Sequence, residues 1–334
     1  MPSSPASNMP VGIADIEAAA ARIAPVALRT PLLENPLLNE RLGFRLLVKA
    51  ECLQRTGSFK IRGAYNRIVQ LDAAERRRGV VAFSSGNHAQ GVAYAAKVLG
   101  APAVIVMPAD APALKITNTK AYGAEVVLYD RYTENREAIG AKLAAERGLI
   151  LVPPFDDPHI IAGQGTVGLE IAAQCAELGV APDAVLINCG GGGLSAGTAT
   201  ALRARLPAAK VHVVEPGAYD DTRRSLAAGN RVGVPDGATS FCDALLSPMP
   251  GEMTFPVIQR LVTSGLTVSD AEVEVAMATA FGYLKIVLEP GGAAAMAAAI
   301  SAKAPPYATV VAVASGGNVD PVLFARTINH TAPV

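Results

Sequence analysis

Lys60 lies between Phe59 and Ile61 in the run Thr56-Gly57-Ser58-Phe59-Lys60-Ile61-Arg62-Gly63-Ala64, ahead of apolar residues at helical spacing through Ile68 and Val69. A lysine so flanked can lose its hydration, fall in pKa and become a nucleophile toward carbonyl compounds. The same pattern fits a lysine whose stem packs on a helix while its ammonium reaches water. A second feature shifts the balance. Gly190-Gly191-Gly192-Gly193 follows the strand-like run Ala184 to Cys189. Its successive backbone N–H groups, with the start of a helix from Leu194, make a concave anion site. No Gly-Lys-Ser/Thr follows, so it is not a P-loop, and Ser195 breaks the Gly-x-Gly-x-x-Gly spacing of dinucleotide sites. A sharp turn with close helix packing would use the same glycines.

An amine nucleophile combined with a phosphate cradle calls for a cofactor carrying both an aldehyde and a phosphate, which is pyridoxal phosphate. Two further polar turns stand at strand ends: Ser84-Ser85-Gly86-Asn87-His88 after Gly79 to Phe83, and Ser315-Gly316-Gly317-Asn318 after Thr309 to Ala314. Ligands of open parallel sheets gather at the carboxyl ends of strands, so the turns 84–88, 190–193 and 315–318 mark one cleft.

The elements that must position these turns alternate strand and helix at lengths suited to parallel sheets covered on both faces. Strands are expected at 44–50, 79–83, 103–107, 125–128, 149–152, 184–189, 211–214 and 309–314. Helices are expected at 13–23, 60–69, 89–99 with Asn87 as a possible cap, 114–122, 133–147, 159–178, 194–206 and 220–228, then 254–263, 270–281 and 291–303. Arg29 to Leu33 reads as extended because residues before proline avoid the helical region. Residues 1–10, with three prolines and three serines, read as disordered. The Gly-, Pro- and Ser-rich stretch 229–253 is a long loop that needs a functional or interface reason. The expected architecture is α/β: two open twisted parallel-sheet domains with the cofactor in the cleft. The larger comprises residues 1–51 and 154–334; the smaller, mobile one comprises 52–153.

Among 334 residues, 29 basic and 29 acidic side chains cancel, so charge offers no reason to expect nucleic acid or an anionic membrane as partner. Zero net charge favours self-association, and a homodimer or homotetramer is expected. The four cysteines lack zinc spacing and read as small buried hydrophobes of a reducing cytoplasm. No secretion signal or uninterrupted membrane-length apolar run is present in the sequence.

Glu215-Pro216-Gly217-Ala218-Tyr219-Asp220-Asp221 concentrates carboxylates and a backbone carbonyl able to hold a hard divalent ion; the alternative is a helix N-terminus with acids in its first turn. His159, His212 and His330 have no acidic or cysteine partner at ligand spacing, and core or surface roles are expected.

The four motifs 56–64, 84–91, 190–194 and 315–318 resemble, in order, those of the threonine/serine dehydratase and serine racemase family, within the tryptophan-synthase-β-like pyridoxal-phosphate enzymes. The resemblance runs from about residue 13 to 326. It implies that Lys60 carries the cofactor and takes the substrate Cα proton, while Phe59 packs beside the ring. It further implies that Asn87 bonds the 3'-oxygen, that Gly190, Gly191, Gly192, Gly193 and the Leu194 backbone hold the phosphate, and that Ser315 meets the ring nitrogen. A neutral hydroxyl there makes a weaker electron sink than a carboxylate would, which suits elimination. Ser84, Ser85, Asn87 and His88 would form the substrate-carboxylate loop, with His88 anchoring the loop rather than acting as a base. Ser85 matches the opposite-face proton donor of the racemases, or it only binds the carboxylate or caps the helix. Glu289 would lie near the ring, or serve only as a helix N-terminal charge. Glu215, the Tyr219 carbonyl and Asp221 would bind Mg or Ca.

The activity implied is dehydration of L-threonine and L-serine to 2-oxobutanoate or pyruvate and ammonia, without an isoleucine-sensing regulatory domain. Serine racemase with side dehydratase activity is one alternative. L-threo-3-hydroxyaspartate dehydratase is another, and it needs a pocket cation such as Arg62, Arg131 or another arginine. An NAD-dependent dehydrogenase would need the missing fingerprint, and a binding protein on this fold would be expected to lose Lys60 or the glycines.

Overall fold

The computed structural model describes residues 9–84, 86–111, 113–130 and 132–334, so Ser85, Arg131 and most of the expected disordered N-terminus lie outside the described residues. The strands are β1 Leu32–Glu34, β2 Arg45–Lys49, β3 Val80–Phe83, β4 Ala103–Pro108, β5 Glu125–Tyr129, β6 Ile150–Leu151, β7 Ala184–Asn188, β8 Lys210–Pro216, β9 Ser264–Val268 and β10 Thr309–Val313. They form two sheets. The four-stranded sheet, in the order β5-β4-β3-β6, is wholly parallel. The six-stranded sheet, in the order β1-β2-β10-β7-β8-β9, is parallel except for the antiparallel edge strand β1. Each sheet has its own apolar core. The runs Val185 to Ile187 and Val311 to Val313 are wholly buried, because helices cover both faces of the larger sheet.

Helix Lys60–Ile68 is nearly all buried, since it packs between helices Asn87–Leu99 and Pro158–Glu177. The long helix approaches so closely that a Cβ at Gly163 would stand 2.6 Å from the Arg62 carbonyl oxygen. Arg62, fully buried, anchors this crossing: its guanidinium bonds Glu51 at 2.8 Å and Glu170 at 2.7 Å, and Lys49 Nζ reaches Glu170 at 2.6 Å. Burial of such charges is tolerable only because each is paired and hydrogen-bonded.

Several elements differ from expectation. β9 occupies a segment read as the link between two helices; its residues are only partly buried up to Val268, which weakens the apolar pattern. Helices Pro36–Leu42, Ala73–Arg78 and Pro321–His330 were unforeseen, although each follows an Asn or Asp whose side chain caps it. The helix expected from residue 133 begins at Arg136, where Asn135 caps it. Asn87 is not a cap: it is the first helical residue, and its side chain turns elsewhere. Among the described residues, no helix is long and apolar enough to cross a membrane.

Candidate active site

A cavity of about 650 Å³ opens between the carboxyl ends of both sheets, lined by residues that follow β3, β6, β7 and β10. The loop 229–253 supplies much of one wall, including Arg231 and residues 243–252.

Lys60 stands at the first position of its helix with its amine in this cavity. Nζ donates to the Pro154 carbonyl at 2.7 Å and lies 5.2 Å from the Phe59 ring centroid. Among the described residues no carboxylate pairs with it, and burial lowers its pKa to about 8. The segment is held from below: Phe59 N–H donates to the Ser315 carbonyl at 3.2 Å, and Ser58 bridges Gly316. Thr56 at φ 64° and Gly57 at φ 71° reverse the chain just ahead of it. Asn318 Nδ2 secures that reversal by donating to the Thr56 carbonyl at 2.7 Å.

Gly190 to Gly193 and Leu194 line the cavity opposite, at the start of helix Gly193–Arg205. Side chains on these glycines would collide with the groups packed behind them. A Cβ at Gly191 would strike the Phe155 ring, and one at Gly192, whose φ is 94°, would meet Thr254 Oγ1 at 2.7 Å. Donors of a helix N-terminus, backed by a glycine loop with no side chains of its own, fit an anionic phosphate. Together with the uncompensated amine of Lys60, this donor set fits pyridoxal phosphate.

Ser315 Oγ accepts from Asn188 Nδ2 at 2.7 Å, which leaves its hydroxyl proton for a ligand. Asn188 is itself fixed, donating to the Gly292 carbonyl at 3.0 Å and accepting from the Ala295 N–H at 2.6 Å. Ser84, Asn87 and His88 also line the cavity. Asn87 Nδ2 donates to Glu289, while its oxygen accepts from Asn318 Nδ2 at 2.8 Å. His88 Nε2 donates to the Val152 carbonyl at 2.9 Å, and burial, helped by the Lys60 charge, depresses the ring to about 3. A neutral imidazole anchored in this way holds the loop and has no proton to lend at neutral pH.

Glu289 is buried beside the cavity, and burial pushes its carboxyl upward; among the described residues Oε2 has no hydrogen-bond partner, but it lies 3.9 Å from Lys115 Nζ. Lys115, Asp243, Arg136, Arg231, Phe155 and Asp156 line the cavity and were not foreseen. Asn188 could have been found, as the strand residue two before the glycine run. Lys115 and Asp243, 128 positions apart, carry no local signal.

Glu215, Tyr219 and Asp221 lie away from this cavity, at the junction of β8 and helix Asp221–Ala228. Glu215 accepts from the Thr222 and Arg223 N–H groups, both at 2.8 Å, whereas both Asp221 carboxylate oxygens are buried without a hydrogen-bond partner among the described residues. Among the described residues, no group of three or more His, Cys, Asp or Glu side chains gathers as a metal site. His159 contacts Gln70, and His212 lies between Ser264 and Tyr307; neither faces the cavity. The four cysteines are buried and unpaired.

The family described as pyridoxal-phosphate dependent enzyme matches residues 23–316. L-threo-3-hydroxyaspartate ammonia-lyase from Pseudomonas sp is 45% identical over 315 residues, covering 94% of this chain and 97% of that protein. Serine racemase from Schizosaccharomyces pombe is 39% identical over 317 residues, covering 95% and 97%. The crystal structure of a threonine deaminase from T.th. is 48% identical, with a TM-score of 0.87 over 92% of this chain and 99% of that one. Similarity of this extent, on two parallel sheets that converge on a lysine-bearing cleft, means that the chain belongs to the pyridoxal-phosphate dependent enzymes of fold type II, in the threonine/serine dehydratase and serine racemase family.

Proposed function

We propose that this enzyme removes the β-hydroxyl and the amine of L-threonine and L-serine, giving 2-oxobutanoate or pyruvate and ammonia. The observation that carries the reading is Lys60 itself: an amine with no acidic partner, its pKa lowered to about 8, facing a cavity with an anion cradle and a neutral hydroxyl donor. Lys60 would hold the cofactor and move the proton at the substrate Cα. Gly190, Gly191, Gly192, Gly193 and the Leu194 backbone would hold its phosphate, Asn87 its 3'-oxygen, and Phe59 one side of its ring. When bound, pyridoxal phosphate supplies the electron sink that makes the Cα proton removable. Ser315 can donate a hydrogen bond to the ring nitrogen but cannot keep it protonated as a carboxylate would, so rapid loss of a β-substituent is favoured over a long-lived carbanion. Ser84 and the backbone of 84–88 would orient the substrate carboxylate, with His88 fixing the loop to Val152. Closure of the 52–153 unit would exclude water from this cleft.

A second reading, L-threo-3-hydroxyaspartate as substrate, is favoured by Arg136. Its guanidinium lies in the cavity wall, 5.6 Å from the Phe83 ring centroid, where it could pair with a side-chain carboxylate. Arg62 cannot serve, being consumed by Glu51 and Glu170. The test is a product assay on L-threonine, L-serine, D-serine and L-threo-3-hydroxyaspartate, with and without Mg, scoring 2-oxo acid and inverted enantiomer separately. Fast oxo-acid formation from L-threonine supports the main reading. Preference for hydroxyaspartate, lost about tenfold or more in Arg136→Gln, supports the second. Appreciable D-serine would assign the opposite-face donor to Ser85.

A Mg or Ca ion held by Glu215, the Tyr219 carbonyl and Asp221 belongs to the same proposal. Two buried carboxylates with unpartnered oxygens on Asp221 are the chemistry a hard cation satisfies. A cytoplasmic homodimer or homotetramer is proposed too, and zero net charge is what favours the self-association.

A further inference from the structure

We infer that Asp156 shapes the anion cradle, acting through Gly251 and Thr254 on the carbonyl of Gly191. The inference rests on the reading that the cofactor phosphate lies at 190–194. Asp156 Oδ1 accepts from the N–H groups of Met253 at 2.8 Å and Thr254 at 3.3 Å, and Oδ2 accepts from that of Glu252 at 2.9 Å. One carboxylate thereby gathers the free donors at the start of helix Thr254–Leu261, where its negative charge is stabilised. A side chain at residue 251 would collide with that carboxylate, so Gly251 is what lets the two segments meet.

The segment held in this way supplies two donors to a single acceptor. Thr254 Oγ1 bonds the Gly191 carbonyl oxygen at 2.7 Å, and the Gly251 N–H reaches the same oxygen at 3.2 Å. A trans peptide plane carries its carbonyl and the following N–H in opposite directions. Pinning the Gly191 oxygen toward Thr254 therefore turns the Gly192 N–H away from Thr254. A glycine run has almost no intrinsic preference for one peptide orientation, so this external tether has to choose it. The adjacent Phe155 ring fills the space behind Gly191. Pro154, one residue further back, accepts the hydrogen bond of Lys60. The three residues 154–156 thus place the nucleophile and the cradle from one piece of backbone.

Asp156 is a positioning residue in this scheme, and its effect should follow the phosphate alone. The experiment titrates cofactor-free wild type, Asp156→Ala, Thr254→Val and Thr254→Ser with pyridoxal phosphate and, separately, with pyridoxal, reading affinity from absorbance and folding from circular dichroism. Asp156→Ala and Thr254→Val should each weaken pyridoxal phosphate about tenfold, while pyridoxal changes less than about twofold and Thr254→Ser restores tight binding. Thr254→Val preserves shape and reads the Gly191 tether if Asp156→Ala does not fold, and Asp156→Asn, which keeps the size and loses one acceptor oxygen and the charge, then reads Asp156 by the same titration. Equal weakening of both ligands, or unchanged pyridoxal phosphate affinity, overturns the inference while leaving the cradle in place. A wild type that binds pyridoxal as tightly as pyridoxal phosphate overturns the cradle reading and this inference with it.

Discussion

Lys115 Nζ donates to the Asp243 carboxylate at 2.6 Å, tying helix Ala113–Ala121, beside the four-stranded sheet, to the loop that walls the cavity from the six-stranded side. Lys115 is almost fully buried, and the unpartnered oxygen of Glu289 is its other neighbour. Removing the cation strands the buried Glu289 carboxylate, while Asp243, 42% exposed, keeps water; removing Asp243 leaves Lys115 facing Glu289. Lys115→Met is therefore expected to cost about 2–3 kcal/mol, and more than Asp243→Asn. Urea denaturation of both variants checks the order; an equal or reversed loss would contradict it.

The amine of Lys60 sets a pH dependence. Its folded value of about 8 lies below its ordinary 10.5, so between those values the folded chain binds fewer protons than the unfolded one. The cost of an ammonium in the cleft is full below about pH 8 and disappears as pH rises to 10.5. Melting curves of the cofactor-free protein should show the deficit of wild type against Lys60→Met narrowing across that window. Covalent capture of pyridoxal phosphate should accelerate with pH and level off just above 8 instead of near 10.5. Lys60→Met should lose at least about a thousandfold in turnover.

Arg62 holds the Lys60 helix against the long helix, with Glu51 and Glu170 sharing its charge. Arg62→Ala leaves the buried Glu51 carboxylate with only the Thr30 hydroxyl and the nearby Lys49 charge, and a loss of about 3–5 kcal/mol is expected. Arg62→Lys should recover only part of it, since a point charge cannot make both bidentate contacts. Chemical denaturation reads both numbers.

Asp221 supplies the test of the metal. Chelation should lower the melting temperature and Mg or Ca restore it, with the difference absent in Asp221→Asn. Calorimetric titration showing the same cation affinity in wild type and Asp221→Asn would place the ion elsewhere.

Lys60, the glycine run and the polar turns after β3 and β10 were legible in the chain because each is a local pattern: an amine among apolar residues, or glycines directly after a strand. The alternation that defined two parallel sheets was legible for the same reason, since periodicity is a property of neighbours in sequence. β9 escaped because its half-buried residues alternate too weakly, and the capped helices at Pro36, Ala73 and Pro321 were overlooked despite their cap residues. Other features had no local trace. Asn87, a possible helix cap by its position and a 3'-oxygen partner by resemblance, turns its amide to Glu289, 202 positions away. Ser315 was named as a donor, but only the bond from Asn188, 127 positions off, shows that its proton is free to be donated. Arg62 was a candidate for the cavity until the long helix brought Glu170 to it. Local patterns along the chain dictate the two parallel sheets and the chemistry the motifs can perform. Which side chains are spent on one another and which are left facing the cleft was decided by packing, because those partners meet only when two sheets close on the same space.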